Sequence, residues 1–184
     1  SAGARDDGGG VDDTIAVVLA LGRPTFDVAF GAAQASAARD VLGELGVTMI
    51  GDDTVLTDDV AVAEAVDHAV ALAVDVAIVL QATFTDASTV ISIAEASDLP
   101  IVVWSFPEAR RGGRLRLNSL CGANLAAYSL RRRRHRCAFV HVDPRRPDSP
   151  HRVAAAVAGA LATPSAPSIP TVGSADAFDA HVAR

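Results

Sequence analysis

The segment "DVAIVLQATFTDASTVISIAEASDLPIVVWS" (residues 75–105) contains two short apolar runs separated by an amphipathic one. Residues 75–81 and 99–105 are almost continuously apolar, which is typical of strands that are buried on both faces. Residues 86–98 begin with an aspartate and follow a helical spacing. A strand, a helix and a second strand in this order predict a βαβ unit with two parallel strands.

The same alternation continues on both sides of this unit. Further strands are predicted at 14–20, 47–50 and 137–142, and further helices at 26–46, 57–74, 119–134 and 149–162. We therefore expect an α/β fold, a three-layer α/β/α sandwich around a five-stranded parallel sheet, either flavodoxin-like or Rossmann-like. The predicted divisions are a disordered tail at 1–13, the sandwich domain at 14–162, and a Pro/Ser linker with a short helix at 163–184.

Composition narrows the class of protein. The chain has 184 residues, is 50% hydrophobic and carries a net charge of −6, which suits one globular domain and weighs against nucleic-acid binding. The apolar runs are shorter than the roughly 20 residues of a membrane helix, so we expect a cytoplasmic protein without a membrane partner. The chain contains no lysine, which excludes Walker P-loop, Schiff-base and pyridoxal-phosphate chemistry. Cys121 and Cys137 are expected to be buried thiols, and the arginines at 131–134 to form the solvated end of a helix.

Polar side chains follow the first, third and fourth predicted strands (14–20, 75–81 and 99–105), where parallel sheets bind their ligands. The candidate substrate-binding residues are Arg23, Gln81, Thr83, Phe84, Glu108 and Asn118. Amide, hydroxyl, carboxylate and guanidinium groups beside an aromatic ring suit a sugar, because they bind hydroxyls while the ring covers an apolar face. An alternative for Arg23 is a surface salt bridge to Asp27.

Several other motifs have a structural interpretation beside a functional one. Asp86 is expected to cap a helix, and "RRGGRLRLNS" (110–119) is either a phosphate-binding loop or a basic loop before a helix capped by Asn118 or Ser119. Gly122 would let that helix approach the sheet closely. His141 and Asp143 lie on one face of a strand and form a possible metal pair. They lack a third ligand at a diagnostic spacing, so no catalytic or metal-binding residue is predicted in this chain.

The runs "GRPTFD" (22–27), "QATFTDAS" (81–88), "LPIVVWSFPE" (99–108) and "GGRLRLNSLCGANLAAYSL" (112–130) together resemble the N-terminal domain of the L-fucose and L-arabinose isomerase superfamily, and in particular its fucose-isomerase-like proteins. The resemblance implies an aldose–ketose isomerase whose divalent ion, often manganese, is held by later domains. It also implies that the N-terminal domain assembles the oligomer and lends an arginine and an aromatic residue to a neighbouring subunit's active site. Those residues map onto Arg23 and Phe84.

Three functions remain open on the sequence. The first is the N-terminal domain or small subunit of a metal-dependent sugar isomerase, with a catalytic isomerase subunit or further copies of itself as partner, a sugar as substrate and little activity alone. The second is a stand-alone sugar-binding or scaffold protein that has kept the fold. The third is an unrelated flavodoxin-like enzyme that uses Glu108 or His141.

Overall fold

The computed structural model describes residues 11–109 and 113–164. The elements in this part are β1 (Ile15–Leu21), α1 (Val28–Glu44), β2 (Thr48–Ile50), β3 (Val55–Leu56), α2 (Asp59–Ala71), β4 (Val76–Gln81), α3 (Ala87–Ala96), β5 (Ile101–Ser105), α4 (Ser119–Arg132), β6 (Cys137–His141) and α5 (Ser149–Ala162). Every helix and strand predicted within these residues is present, with ends that differ by a few residues at most. The first ten residues of the predicted tail, and the linker and helix from 165 onward, lie outside the described residues.

The strands form one parallel sheet in the order β2-β1-β4-β5-β6, with the short strand β3 paired to β1. The five predicted strands are therefore confirmed, and the order is the flavodoxin-like one, in which the chain first moves to one side of β1 and then to the other. The two-residue strand β3 was not predicted, because a run as short as Val55–Leu56 gives no periodic signal.

The sheet separates two hydrophobic layers. Side chains alternate along β1, so that Ala16, Val18 and Ala20 pack under α1 and α5. Val17, Leu19 and Leu21 pack under α2, α3 and α4 on the opposite face. All six are at most 1% exposed, which explains why the strand reads as a continuous apolar run rather than an alternating one.

The packed part of the chain begins slightly earlier than the predicted boundary at Thr14. Val11 is 5% exposed and joins the core cluster under α1 and α5. The backbone N–H of Thr14 donates to the carbonyl of Val11 at 3.2 Å. A single valine among glycines and aspartates does not form a periodic apolar pattern, so the sequence did not predict that the packed domain begins before Thr14.

Two short strands, β2 and β3, pair with successive parts of β1 on the same side. The side chain of Arg39 in α1 binds the backbone at the break between β2 and β3. Its Nη2 atom donates to the carbonyls of Val18 and Asp52. Gly51, at the break, has φ of 110°, and a Cβ there would lie 2.9 Å from the Val18 oxygen. Within the described ranges, no helix has both the length and the apolar character needed to cross a bilayer.

Candidate functional site

The carboxyl ends of β1 and β4 lie side by side in the middle of the sheet. The chain leaves β1 toward β2 on one side and leaves β4 toward β5 on the other, so the two connections diverge at this point. Open α/β sheets bind ligands in the crevice that such a divergence creates. The candidate site is therefore the crevice between the loop after β1 (22–27) and the loop after β4 (82–86).

Arg23 lies at the rim of this crevice. Its backbone N–H donates to Thr83 Oγ1 at 2.7 Å, which ties the two loops together. Its guanidinium pairs with Asp86 and lies 5.9 Å from the centre of the Phe84 ring. Arg23 and Phe84 therefore lie close together, whereas the alternative of a salt bridge from Arg23 to Asp27 is wrong.

Phe84 lies in the loop after β4, and its side chain is partly exposed. The ring packs against Phe26, with ring centres 5.8 Å apart and planes tilted by 47°. The backbone N–H of Phe84 donates to the carbonyl of Leu117 at 2.7 Å. A tilted aromatic pair is attractive in its own right, so the Phe84 ring is held in place and offers a fixed apolar surface.

Gln81 and Thr83, two of the predicted substrate-binding residues, are both 0% exposed. Gln81 Nε2 donates to the Thr83 carbonyl at 2.9 Å and to Thr85 Oγ1 at 2.8 Å. These contacts support the loop from beneath and leave no surface for a ligand. We therefore correct the prediction for both residues: they position the loop, because the end of a central strand is covered on both faces.

The carboxylate of Glu108 is bound by backbone N–H groups of the loop before α4. Oε1 accepts the backbone N–H groups of Arg116 at 2.6 Å and Leu117 at 2.8 Å, and Oε2 accepts that of Asn118 at 2.7 Å. Converging N–H groups before a helix form an anion site. Here the anion is Glu108 itself, which corrects its prediction as a sugar ligand and leaves these three donors without room for a phosphate.

Asn118 occupies the N-cap position of α4 with a left-handed backbone, φ 51°, and its side chain makes no capping hydrogen bond. Ser119 Oγ instead donates to the Gln81 carbonyl and accepts the Phe106 N–H. The expectation that one of these two side chains caps α4 is therefore wrong. Asn118 is half-buried, and its contact with substrate stays a prediction. Residues 110–112 of the same loop lie outside the described part of the chain.

Arg116 shapes the site but was not predicted from the sequence. Its Nε and Nη2 atoms donate to Asp27 Oδ2 at 2.9 and 2.6 Å, and its guanidinium carbon lies 4.1 Å from the centre of the Phe30 ring. Arg116 thereby joins the loop before α4 to the first turn of α1. Its partner lies 89 positions away, and no local pattern distinguishes it from the neighbouring arginines.

A cavity of about 180 Å³ opens at the β1–β4 divergence. Its lining residues are Leu21, Gly22, Arg23, Leu56, Thr57, Asp58, Asp59, Val62, Thr85, Asp86, Ser88 and Thr89. The wall formed by Thr57, Asp58 and Asp59 was missed, since it depends on the unpredicted strand β3. Across this wall, Thr89 Oγ1 donates to Asp59 Oδ1 at 3.1 Å.

Two aspartates beside the crevice have pKa values below the ordinary value. Hydrogen bonds from the Ser88 hydroxyl and amide, with the charge of Arg23, lower the pKa of Asp86 below its ordinary value of 3.8. Hydrogen bonds from the Phe30 amide and from Arg116 lower the pKa of Asp27 in the same way. Both are ionised at neutral pH. Asp86 also accepts the Ser88 N–H at 2.9 Å as the N-cap of α3, which confirms the capping prediction.

The described residues do not form a metal centre. No group of three or more His, Cys, Asp or Glu side chains among them lies close enough to hold an ion. His141 Nδ1 lies 2.9 Å from Ser105 Oγ, and burial lowers the pKa of His141. Asp143 accepts the backbone N–H of Arg145 at 3.0 Å. A manganese ion therefore does not fit this part of the chain.

The two cysteines differ in exposure. Cys121 is exposed on α4, so the prediction of a buried thiol is wrong there. Cys137 is half-buried, and burial raises its pKa. The arginines at 131–134 are exposed at the end of α4, as predicted.

Residues 17–158 match the family model described as fucose/sulfoquinovose isomerase, N-terminal domain. The chain belongs to this family. The match covers β1 through most of α5 and includes every element around the crevice. It confirms the resemblance to the fucose-isomerase-like proteins and agrees with the parallel α/β fold.

Curated relatives of the fucose/sulfoquinovose isomerase family match the same region. Sulfoquinovose isomerases from Priestia aryabhattai and Priestia megaterium are each 30% identical over 134 residues, covering 73% of this chain and 30% of theirs. A sulfoquinovose isomerase from Alkalicoccus urumqiensis is 39% identical over 69 residues, covering 37% of this chain and 16% of that protein. The chain thus spans about a third of the length of the curated relatives it matches.

Among solved structures, a galactofuranose binding protein aligns with this fucose/sulfoquinovose isomerase N-terminal domain at 10% sequence identity and a TM-score of 0.35. The alignment covers 70% of this chain and 55% of that protein.

Proposed function

We propose that this chain supplies the substrate-binding N-terminal part of a metal-dependent aldose–ketose isomerase of the fucose/sulfoquinovose type. In this proposal, Arg23 and Phe84 bind the sugar. Other domains or a second chain bring the divalent ion and the groups that move the proton. Contacts between copies, or with that second chain, complete the active site.

One observation carries the proposal, namely that Arg23 and Phe84 meet at 5.9 Å in the crevice where the strand order reverses. They lie 61 positions apart in the sequence and come together only through the neighbouring strands β1 and β4. The guanidinium can donate paired hydrogen bonds to hydroxyl oxygens, and the ring can cover an apolar sugar face. The family membership of the chain supports a sugar as the ligand.

The chemical step needs more than this crevice supplies. Moving a proton between C1 and C2 of a sugar requires a base, and an electrophile that stabilises the developing oxyanion. Of the carboxylates around the crevice, Asp86 pairs with Arg23 and Asp27 pairs with Arg116. Glu108 accepts three backbone N–H groups, Asp58 accepts the Ala61 N–H, and Asp59 accepts the Thr89 hydroxyl. We therefore assign binding to this chain and proton transfer to its partner.

A substitution at Arg23 tests the binding role. Arg23→Ala in the enzyme assembled with its partner should weaken sugar binding by ~1 to 3 kcal/mol, the usual contribution of a charged hydrogen bond. The free energy of unfolding should change by less than about 1 kcal/mol, since the pair with Asp86 is exposed. Arg152→Ala, which removes an exposed arginine from α5, is the matched control and should change neither quantity. Calorimetric titration and urea unfolding measure the two effects.

The assignment of sugar binding to this chain and proton transfer to its partner is tested with the same protein. The pure 184-residue chain should not isomerise aldoses when manganese is added, whereas material co-purified from the native host should do so. Turnover by the pure chain that a chelator abolishes would contradict the proposal. Sugar binding without turnover in any co-purified material would favour the stand-alone binding protein.

A further inference from the structure

The charge around the cavity is unusual for a site that contains an arginine. Of its lining residues, Arg23 is the cation, and it shares the cavity with the carboxylates of Asp58, Asp59 and Asp86. The lining as a whole is therefore negative. An arginine that serves an anionic ligand is usually left free to pair with that ligand.

Asp86 is held against Arg23 by the backbone of its own helix. Its Oδ1 atom accepts the amide and the hydroxyl hydrogen of Ser88, which leaves Oδ2 facing the Arg23 guanidinium. These hydrogen bonds also lower the pKa of Asp86, so the carboxylate stays ionised at neutral pH. An incoming anion would have to compete with the Asp86 carboxylate for the same guanidinium.

At each helix end that reaches the cavity, one N–H group is already bound by an aspartate. The N-termini of α2 and α3 both reach the cavity, and such ends attract anions when their N–H groups are free. Here Asp58 accepts the Ala61 N–H at 2.9 Å, and Asp86 accepts the Ser88 N–H at 2.9 Å. The hydroxyl hydrogens of Ser88 and Thr89 in the lining are already donated to Asp86 and Asp59, so neither is left for an incoming anion.

We propose that Asp86 sets the charge selectivity of the Arg23–Phe84 site, so that this site accepts the uncharged hydroxyl-bearing part of a sugar and rejects a sulfonate or phosphate substituent. The proposal rests on the proposed function, because it concerns the same crevice. The proposed ligand therefore differs from the substrate for which the curated relatives are named, because sulfoquinovose carries a sulfonate.

The decisive experiment compares two sugars that differ in that group alone. Quinovose is 6-deoxyglucose, and sulfoquinovose is the same sugar with a sulfonate on C6. The full 184-residue chain is titrated with each sugar at one fixed ionic strength, and the amide signals of Arg23 and Phe84 are followed by NMR. We expect the unmodified chain to bind quinovose at least about tenfold more tightly, which corresponds to about 1.4 kcal/mol.

The variant Asp86→Asn tests the residue itself. Asparagine is as good an N-cap as aspartate, so α3 keeps its cap while the charge is removed and Arg23 loses its internal anion. The preference for quinovose should fall at least about fivefold or reverse. Asp67→Asn, which removes the same charge from the exposed face of α2, is the matched control and should leave the preference unchanged.

Each outcome decides between the two proposals. Tighter or equal binding of sulfoquinovose by the unmodified chain would overturn the selectivity proposal and leave the proposed function standing. An unchanged preference in Asp86→Asn would overturn the role of Asp86. Absence of signal changes with both sugars would reject the crevice as a sugar site, and with it both proposals.

Discussion

The side chain of Glu108 fixes the conformation of the loop before α4. Its two oxygens accept the N–H groups of Arg116, Leu117 and Asn118. The loop is thereby fixed where Arg116 meets Asp27 and where the Leu117 carbonyl accepts the Phe84 N–H. A basic, glycine-containing stretch that could have bound an external anion is instead closed by an internal one.

We predict that Glu108→Gln destabilises the protein by about 1 to 3 kcal/mol. The substitution replaces one accepting oxygen with an NH₂ group that faces a backbone N–H, so at least one donor loses its charged acceptor. The free energy of unfolding in urea measures the effect, and the Phe84 amide signal should shift because its acceptor lies in the same loop. Glu64→Gln, on the exposed face of α2, is the control and should stay within about 0.5 kcal/mol. Equal stability of the two variants would contradict the stabilising role of Glu108 in this loop.

At the scale of elements, α4 packs closely on the end of β4 and on the loop that follows it. A Cβ added at Gly122 would lie 2.8 Å from Gln81 Nε2 and 3.1 Å from the Thr85 carbonyl oxygen. Gln81 is fully buried and already bound to the loop, so it has little freedom to move. The prediction that Gly122 permits close packing of the helix on the sheet is confirmed.

We predict that Gly122→Ala destabilises the protein by about 1 to 3 kcal/mol through overpacking, although alanine is the better helix former. Gly159→Ala is a matched control on α5, where an added Cβ meets nothing within 4 Å. That variant should be stabilised by about 0.4 to 1 kcal/mol, since alanine restricts the unfolded chain. Thermal unfolding of both variants measures the contrast, and a stabilised Gly122→Ala would show that α4 is free to move away from β4.

At the scale of the whole molecule, apolar side chains remain exposed on the layer formed by α2, α3 and α4. They are Val60, Val70 and Leu72 around α2, and Leu120, Leu125 and Tyr128 on α4. Exposed apolar groups of this kind favour contact with another chain when they form a patch. The expected homo-oligomer or isomerase partner would cover this layer, which also borders the cavity.

We predict that the chain self-associates at high concentration through α4. Replacing Leu125, which is 44% exposed, with Lys should shift light scattering toward the monomer, because a charge placed in an apolar contact loses its hydration. Leu161→Lys on α5, in the opposite layer and 36% exposed, is the control. A chain that is monomeric at every concentration and has no partner in its host would contradict the prediction.

The sequence by itself determined the fold class, because apolar runs of strand length alternating with amphipathic helices are compatible with few arrangements other than a covered parallel sheet. It also placed Arg23 and Phe84 on loops of the same edge, since the carboxyl ends of parallel strands share one side. The local signals were sufficient there, because strand periodicity and the N-cap of Asp86 act over a few neighbouring residues.

Only the tertiary structure decided what the side chains of those loops contact. The partner of Arg23 proved to be Asp86 rather than Asp27, and that of Glu108 proved to be the backbone before α4. Such contacts depend on strand order and on loop positions to within about an ångström, because hydrogen bonds weaken steeply beyond their normal length. The sequence names the charged groups near the crevice, but three-dimensional packing decides which of them remain for a ligand.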